Sequence, residues 1–189
     1  MARINPDALP NLEGRVVRTN KVQKTNKGGR TMSWSILVVM GDGNGHVGAG
    51  IGKARAIPDA VRKGEEDAKK NLIKVPIING TIPHEVLAMH GASEVLLKPA
   101  APGTGVVAGG AVRILLESAG VHDVLAKSIG SNNPVNNAWA TMKAFAQLKT
   151  IDEYAALRGK TADEVRRGSA ENATSTAETA VKEESGDGA

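Results

Sequence analysis

Cysteine is absent from this 189-residue chain, which excludes disulfides, thiol nucleophiles and thiolate metal sites. Aromatic residues are nearly absent: Trp34, Trp139, Phe145 and Tyr154 are the full set, too few for a surface built on rows of stacking platforms. No apolar run is long enough to cross a bilayer, and the opening MARINPDALP lacks the apolar stretch of an export signal. A soluble cytoplasmic chain with no membrane contact is therefore expected, and the Asn172-Ala173-Thr174 sequon carries no chemistry. The four histidines, His46, His84, His90 and His122, lack metal-ligand spacing, and Ser118, Ser128 and Ser131 have no nucleophile-elbow context. The reading is of a protein that is not an enzyme and needs no cofactor or metal.

What is present is positive charge in one place. Residues 168–189 hold five acids against Lys182, a balance of −4, and since the whole chain carries +4 the first 167 residues carry +8. That segment, rich in Ala, Ser, Thr and Glu, reads as a disordered acidic tail. Much of the basic excess lies in Arg15, Arg18, Lys21, Lys24, Lys27 and Arg30, spaced every third residue. A period of three fits neither a strand face nor a helix face, so the charges must point several ways. That suits an arm touching phosphates from more than one side. At its tip, Gly28 and Gly29 sit between Lys27 and Arg30, where backbone amides can approach a phosphate while the cations neutralise it. A solvated loop is the plain alternative.

Glycine is the second abundance. GDGNGHVGAGIGKA (41–54) contains the letters of a dinucleotide fingerprint at Gly43, Gly45 and Gly48, yet the residues after Gly45 alternate with a period of two instead of opening a helix. The P-loop pattern fails as well, because Ala54 follows Gly52-Lys53 and Val47 stands where glycine is required. A β-hairpin turning at Asp42-Gly43-Asn44-Gly45 is expected, with Gly48, Gly50 and Gly52 on one face of its second strand, packed closely on a helix, RNA or another protein. Gly103-Thr104-Gly105 and Ala108-Gly109-Gly110 form another glycine-rich stretch, equally consistent with a phosphate cradle at a helix start and with dense protein packing.

Periodicity places strands over 13–24, 31–40 and 46–53 and a helix over 57–73, a compact unit at 12–76 behind an N-terminal extension at 1–11. A second unit over 81–150 reads as strands at 85–90 and 94–99, a helix at 105–120, a strand at 121–129 and a helix at 133–148 with Asn133 as N-cap. A helical extension (151–167), including a capping box at Thr161-Ala162-Asp163-Glu164, precedes the tail at 168–189. The fold class is α+β in two domains. The first domain's cations Lys53, Arg55, Arg62, Lys63, Lys69 and Lys70 join the hairpin as candidate RNA contacts, and Arg113 is expected to be held on its helix by Glu117.

KTNKGGR (24–30), GDGNGHVGAGIGKA (41–54), PGTGVVAGGAVR (102–113), VLAKSIGSNNPVN (124–136) and RGKTADE (158–164) together resemble the family of bacterial small-subunit ribosomal protein five over residues 12–167. The resemblance implies a first domain like a double-stranded-RNA-binding domain and a C-terminal α/β domain with a left-handed βαβ crossover. It implies contacts with 16S ribosomal RNA, with ribosomal proteins four and eight and with messenger RNA where it enters the subunit, and an influence on decoding accuracy. Val22, Gln23 and Lys24 would lie near the spectinomycin site, and Gly105 and Arg113 at the contact with protein four. Against the family pattern, Ala49 and Ile51 stand where aromatics are common, His46 where a base is, and Trp34 where Phe or Tyr is usual.

Overall fold

The computed structural model describes Leu9, residues 11–161 and Glu164. The acidic tail, most of the extension at 1–11 and the final helix expected after Thr161 lie outside these residues, although Thr161 and Glu164 do make the reciprocal bonds of the expected capping box (3.2 and 3.4 Å). Residues through Leu148 form one compact unit and those from Lys149 a second.

In the first unit β1 (Glu13–Asn26), β2 (Gly29–Gly41) and β3 (His46–Ala54) form an antiparallel meander, followed by α1 (Ile57–Lys70). Beyond the three strands expected, a fourth, β4 (Ile73–Lys74), pairs with β3. It exists because α1 stops three residues early, where the Asn71 side chain donates to the Asp67 carbonyl (3.0 Å) and the Ala49 carbonyl (3.2 Å) and turns the chain back to the sheet.

A second sheet has the order β5 (Val86–His90), β6 (Ser93–Pro99), β8 (Val124–Gly130), β7 (Val106–Val107), the last pair parallel. Its helices are α2 (Gly110–Ala119) and α3 (Pro134–Gln147), the latter opened by Asn133, whose side chain accepts from the Val135 amide. The helix read over 105–120 thus starts five residues later. Gly103 and Gly105 adopt φ of 90° and 76°, and the Asp123 carboxylate fixes the Gly105 amide at 2.9 Å, holding the preceding chain extended as β7. The strand read from 121 likewise begins at Val124, since the amides of His122 and Asp123 bind the Gly80 carbonyl (2.8 and 3.1 Å).

One core joins these parts. Leu37, Val39, Val47 and Ala49 of the first sheet share a buried cluster with Leu115 and Leu116 of α2, Phe145 of α3, and Val95 and Leu97 of β6. The other face of the first sheet carries Ile36 and Val38, which pack with Ala60 of α1. In register opposite Ile36, Val38 and Met40 stand Gly52, Gly50 and Gly48. A Cβ on any of these glycines would run into α1 backbone, at Ala60 for Gly52, Gly64 and Ala68 for Gly50, and Ala68 for Gly48. The glycine row is therefore met by the chain's own helix, through its small residues at i, i+4 and i+8, and not by RNA or a second protein.

The β2–β3 turn docks on the end of α2. The Gly43 and Gly45 amides donate to the carbonyls of Ser118 (3.1 Å) and Ala119 (2.8 Å), and the Gly45 carbonyl accepts from Val75 (2.7 Å). Asp42, with its side chain only 6% exposed, accepts from the amides of Asn44 (2.8 Å) and His46 (3.0 Å) and lies 2.6 Å from the His46 imidazole. Burial raises the Asp42 carboxyl pKa, but those amides and the imidazole outweigh it and hold the group below its ordinary value.

In the second unit α4 (Ile151–Arg158) begins at a capping box in which Thr150 accepts from the Glu153 amide and Glu153 from the Thr150 amide, and it ends at Gly159 with φ of 62°. The Lys149 ammonium stands 5.7 Å from the Tyr154 ring centroid.

Two outcomes are expected. Gly50→Ala should destabilise the protein on the order of 1–3 kcal/mol in chemical denaturation, while Gly28→Ala, whose Cβ would meet nothing within 4 Å, should stay within about 0.5 kcal/mol of the parent. Equal stability of the two variants would show that α1 does not rest on β3. The Asp42 contribution is present above the ordinary carboxylate pKa and is lost as pH falls through and below about 4. Asp42→Asn should accordingly be less stable than the parent near neutrality, with the gap closing in acid; a gap unchanged with pH would refute the role of the charge.

Candidate nucleic-acid interface

β3 pairs with β2 only from Trp34 onward, so Val22–Asn26 and Gly29–Ser33 project as a two-stranded ribbon past the sheet. Its turn is the two-residue Lys27-Gly28, and Gly29 adopts φ of 139°, a conformation costly for any side chain. Residues directly opposite on antiparallel strands share a face. Arg18, Val22 and Lys24 pair with Leu37, Ser33 and Thr31 and so lie on the face that looks toward the shared core at the ribbon's base. Lys21, Gln23 and Arg30 lie on the other, in register with Trp34, Met32 and Thr25. The charges thus point both ways, as the period of three required.

A register shift between Val16 and Arg18 returns Arg15 to the same face as Arg18. There Arg15 Nη1 meets Glu117 Oε2 at 3.3 Å with both side chains largely exposed, a pair worth little in water. That contact takes the carboxylate expected to hold Arg113; the Arg113 Nη2 instead donates to the Val106 carbonyl at 3.2 Å. Gly105 and Arg113 therefore flank β7, an edge strand paired on one side only.

Lys53 stands in a row with Ser35 and Asn20 across β3, β2 and β1, extending the Arg18 face. Arg55 lies exposed between β3 and α1, and Arg62, Lys63, Lys69 and Lys70 are exposed on α1 while Ala60, Gly64 and Ala68 face the sheet. Among the described residues, none of Lys21, Lys24, Lys27, Arg30, Lys53, Arg55, Arg62, Lys63, Lys69 or Lys70 makes an ion pair. On the ribbon this charge faces solvent uncompensated, which is the condition for attracting a polyanion, whereas on α1 the acids Asp59 and Glu66 are exposed beside the four bases.

Of the four positions where the chain departs from the family pattern, Ile51 is exposed and the other three have structural duties. His46 pairs with Asp42, Ala49 is buried in the shared core, and Trp34 is half-buried against Ile36 and Ala60, so none is a free stacking platform. Asp42 was missed in the sequence because its role depends on the turn closing back to His46.

A mixed fold that projects an uncompensated basic ribbon, charged on both faces, past a rigid sheet defines a nucleic-acid-binding class of protein. The comparisons agree on which. The family described as ribosomal protein S5, N-terminal domain, matches residues 12–76, and ribosomal protein S5, C-terminal domain, matches residues 88–158. A protein named small ribosomal subunit protein uS5, from Chloroflexus aurantiacus, is 54% identical over 163 residues, covering 86% of this chain and 91% of that protein. The chain belongs to the uS5 family of small-subunit ribosomal proteins, whose members are structural components and not enzymes.

Replacing Lys24, Lys27 and Arg30 together by Ala should leave stability within about 0.5 kcal/mol of the parent and lower the slope of log affinity against log salt for structured RNA by roughly two to three units. RNA affinity and salt slope equal to the parent's in filter binding would remove the ribbon from the interface.

Proposed function

We propose that this chain is built into the small ribosomal subunit, where it binds 16S ribosomal RNA, braces the region between body and head near the channel through which messenger RNA enters, and contributes to decoding accuracy in cytoplasmic ribosomes. The observation that carries the reading is the ribbon of cations that make no ion pair among the described residues, projecting beyond the sheet on two faces. Phosphate neutralisation by Arg18, Lys21, Lys24, Lys27 and Arg30 releases counterions and favours a groove or junction where phosphates flank the ribbon. Val22, Gln23 and Lys24 then lie at the neck near the spectinomycin site.

Contacts with ribosomal proteins four and eight complete the proposal, with Gly105 and Arg113 meeting protein four. Two features support protein neighbours: β7 leaves one edge unpaired, and the face of the second sheet turned away from its helices exposes Leu87, Met89, Val107, Leu125 and Ile129. Glu94, Lys98 and Lys127 share that face, so it suits a partner that covers apolar side chains set among charges.

The two regions should separate by role. Arg113→Ala should leave RNA affinity of the isolated chain near normal but change miscoding on a reporter, whereas the triple ribbon variant should lose RNA affinity and alter spectinomycin response. Equal loss of RNA binding in both, or native miscoding with Arg113→Ala, would defeat this division.

A further inference from the structure

The turn Ile78-Asn79-Gly80-Thr81 lies between β4 of the first sheet and β5 of the second. Ile78 and Thr81 exchange both backbone hydrogen bonds (2.9 and 3.0 Å), and Asn79 and Gly80 between them adopt φ of 50° and 81°. Two central residues of positive φ inside a bonded pair make a type I′ turn. Asn79 is the one non-glycine residue of positive φ among the described residues.

The peptide unit at the centre of this turn is untethered. Among the described residues neither the Asn79 carbonyl nor the Gly80 amide has a hydrogen-bond partner, and the exposed Asn79 side chain has none either. That unit is therefore free to turn over while Ile78 and Thr81 stay paired, which carries the turn from type I′ to type II′. Type II′ requires positive φ only at its first central residue, and Asn79 already has it. Its ψ is then about −120°, the angle at which the Gly80 nitrogen eclipses Cβ and faces the side-chain carbonyl carbon. Gly80, having no side chain, accepts either form and leaves the approach open.

A second Asn-Gly pair in the chain is held in the opposite way. In Asn44-Gly45 the glycine amide donates to the Ala119 carbonyl (2.8 Å) and the asparagine side chain donates to the Asp42 carbonyl (3.2 Å). The Asn44 amide is bound to the Asp42 carboxylate as well (2.8 Å), and Asn44 lies outside the positive-φ region. The same dipeptide thus occurs once with its reacting groups free and once with them tied.

We propose that Asn79 is a modification site, at which the folded chain deamidates and isomerises without an enzyme. The Gly80 nitrogen gives its proton to solvent base and attacks the Asn79 Cγ. The N–Cγ bond forms, the Cγ–Nδ2 bond breaks, and the departing nitrogen takes up a proton and leaves as ammonia. Water then opens the cyclic imide at one carbonyl or the other, leaving aspartate or isoaspartate at position 79. The consequence follows from what Gly80 holds. Its carbonyl accepts from the amides of His122 (2.8 Å) and Asp123 (3.1 Å), and the Asp123 carboxylate in turn fixes the Gly105 amide (2.9 Å). Isoaspartate adds a methylene to the main chain directly before Gly80, so it displaces that carbonyl and loosens the chain at Asp123 and Gly105.

The full chain is aged at mildly alkaline pH, folded and in parallel in denaturant. Trypsin places Asn44 in peptide 31–53 and Asn79 in peptide 75–113, since Lys98 precedes Pro99, and each is the only asparagine of its peptide. Mass spectrometry then reads the two sites separately, and labelling by isoaspartyl methyltransferase identifies the rearranged product. In the folded chain Asn79 should convert at least about tenfold faster than Asn44, whose hydrogen bonds must open first; in denaturant the two rates should come together. Asn79→Gly keeps the turn, because glycine accepts positive φ, and a denaturation midpoint checks its fold. Ageing should speed hydrogen exchange at the Gly105, His122 and Asp123 amides in the parent and not in Asn79→Gly. Equal conversion at the two sites in the folded chain, faster conversion at Asn44, or no conversion at Asn79 unless denatured overturns the site. Aspartate without isoaspartate overturns the cyclic route, and unchanged exchange in the aged parent overturns the link to Gly105.

Discussion

The arrangement depends on one close approach, the backbone of α1 lying directly on the backbone of β3. Gly48, Gly50 and Gly52 on the strand and Ala60, Gly64 and Ala68 on the helix remove the side chains that would keep them a full layer apart. A sheet normally stands about 10 Å from its neighbouring layer because side chains fill the space. Here the gap on one side is taken by Ile36 and Val38 from the adjoining strand, with Trp34, Ala54 and Val61 packed beside them. The sheet is thereby buried on both faces while α1 keeps its lysines outward, and Leu37, Val39, Val47 and Ala49 are left free to join the core beneath α2 and α3.

A second set of glycines converts two sequence-separated parts into one body. A Cβ on Gly41 would strike the Ser118 carbonyl, and one on Gly120 would strike Gly43. Only bare backbone lets the β2–β3 turn hydrogen-bond to the end of α2, and Asp42 locks the turn by binding the amides ahead of it. The consequence is mechanical. The ribbon proposed to hold RNA transmits its position to the second sheet only if the joint between them is stiff, and a site carried on rigid elements is held more closely than one carried on loops.

Much of this was legible in the sequence, and the misses share a cause. The period of two after Gly45 identified β3 and dismissed a cofactor loop, and the period of three in the cations foretold a ribbon charged on both faces. Pro134 behind Asn133 located α3. What escaped was set by distant partners: α2 begins at Gly110 and not at Gly105 because Asp123 captures the Gly105 amide, and β4 exists because Asn71 reaches Ala49. The partner of the glycine face was equally hidden, since a row of glycines says that something approaches closely without saying what. The expected Arg113–Glu117 pair failed for the same reason, because Arg15, 102 positions away in sequence, reaches the carboxylate.

The surface divides as the interior does. Cations crowd the ribbon, while the far face of the second sheet shows Leu87, Met89, Val107, Leu125 and Ile129 to solvent among Glu94, Lys98 and Lys127. A free-standing domain gains nothing from either feature: uncompensated charge repels itself, and exposed large apolar side chains invite association. Both become favourable when phosphates cover the first and a protein surface covers the second. Because the stiff core fixes the angle between them, binding at one end constrains the geometry at the other, and substitutions in the core or at the glycine joint should disturb assembly without touching any contact residue.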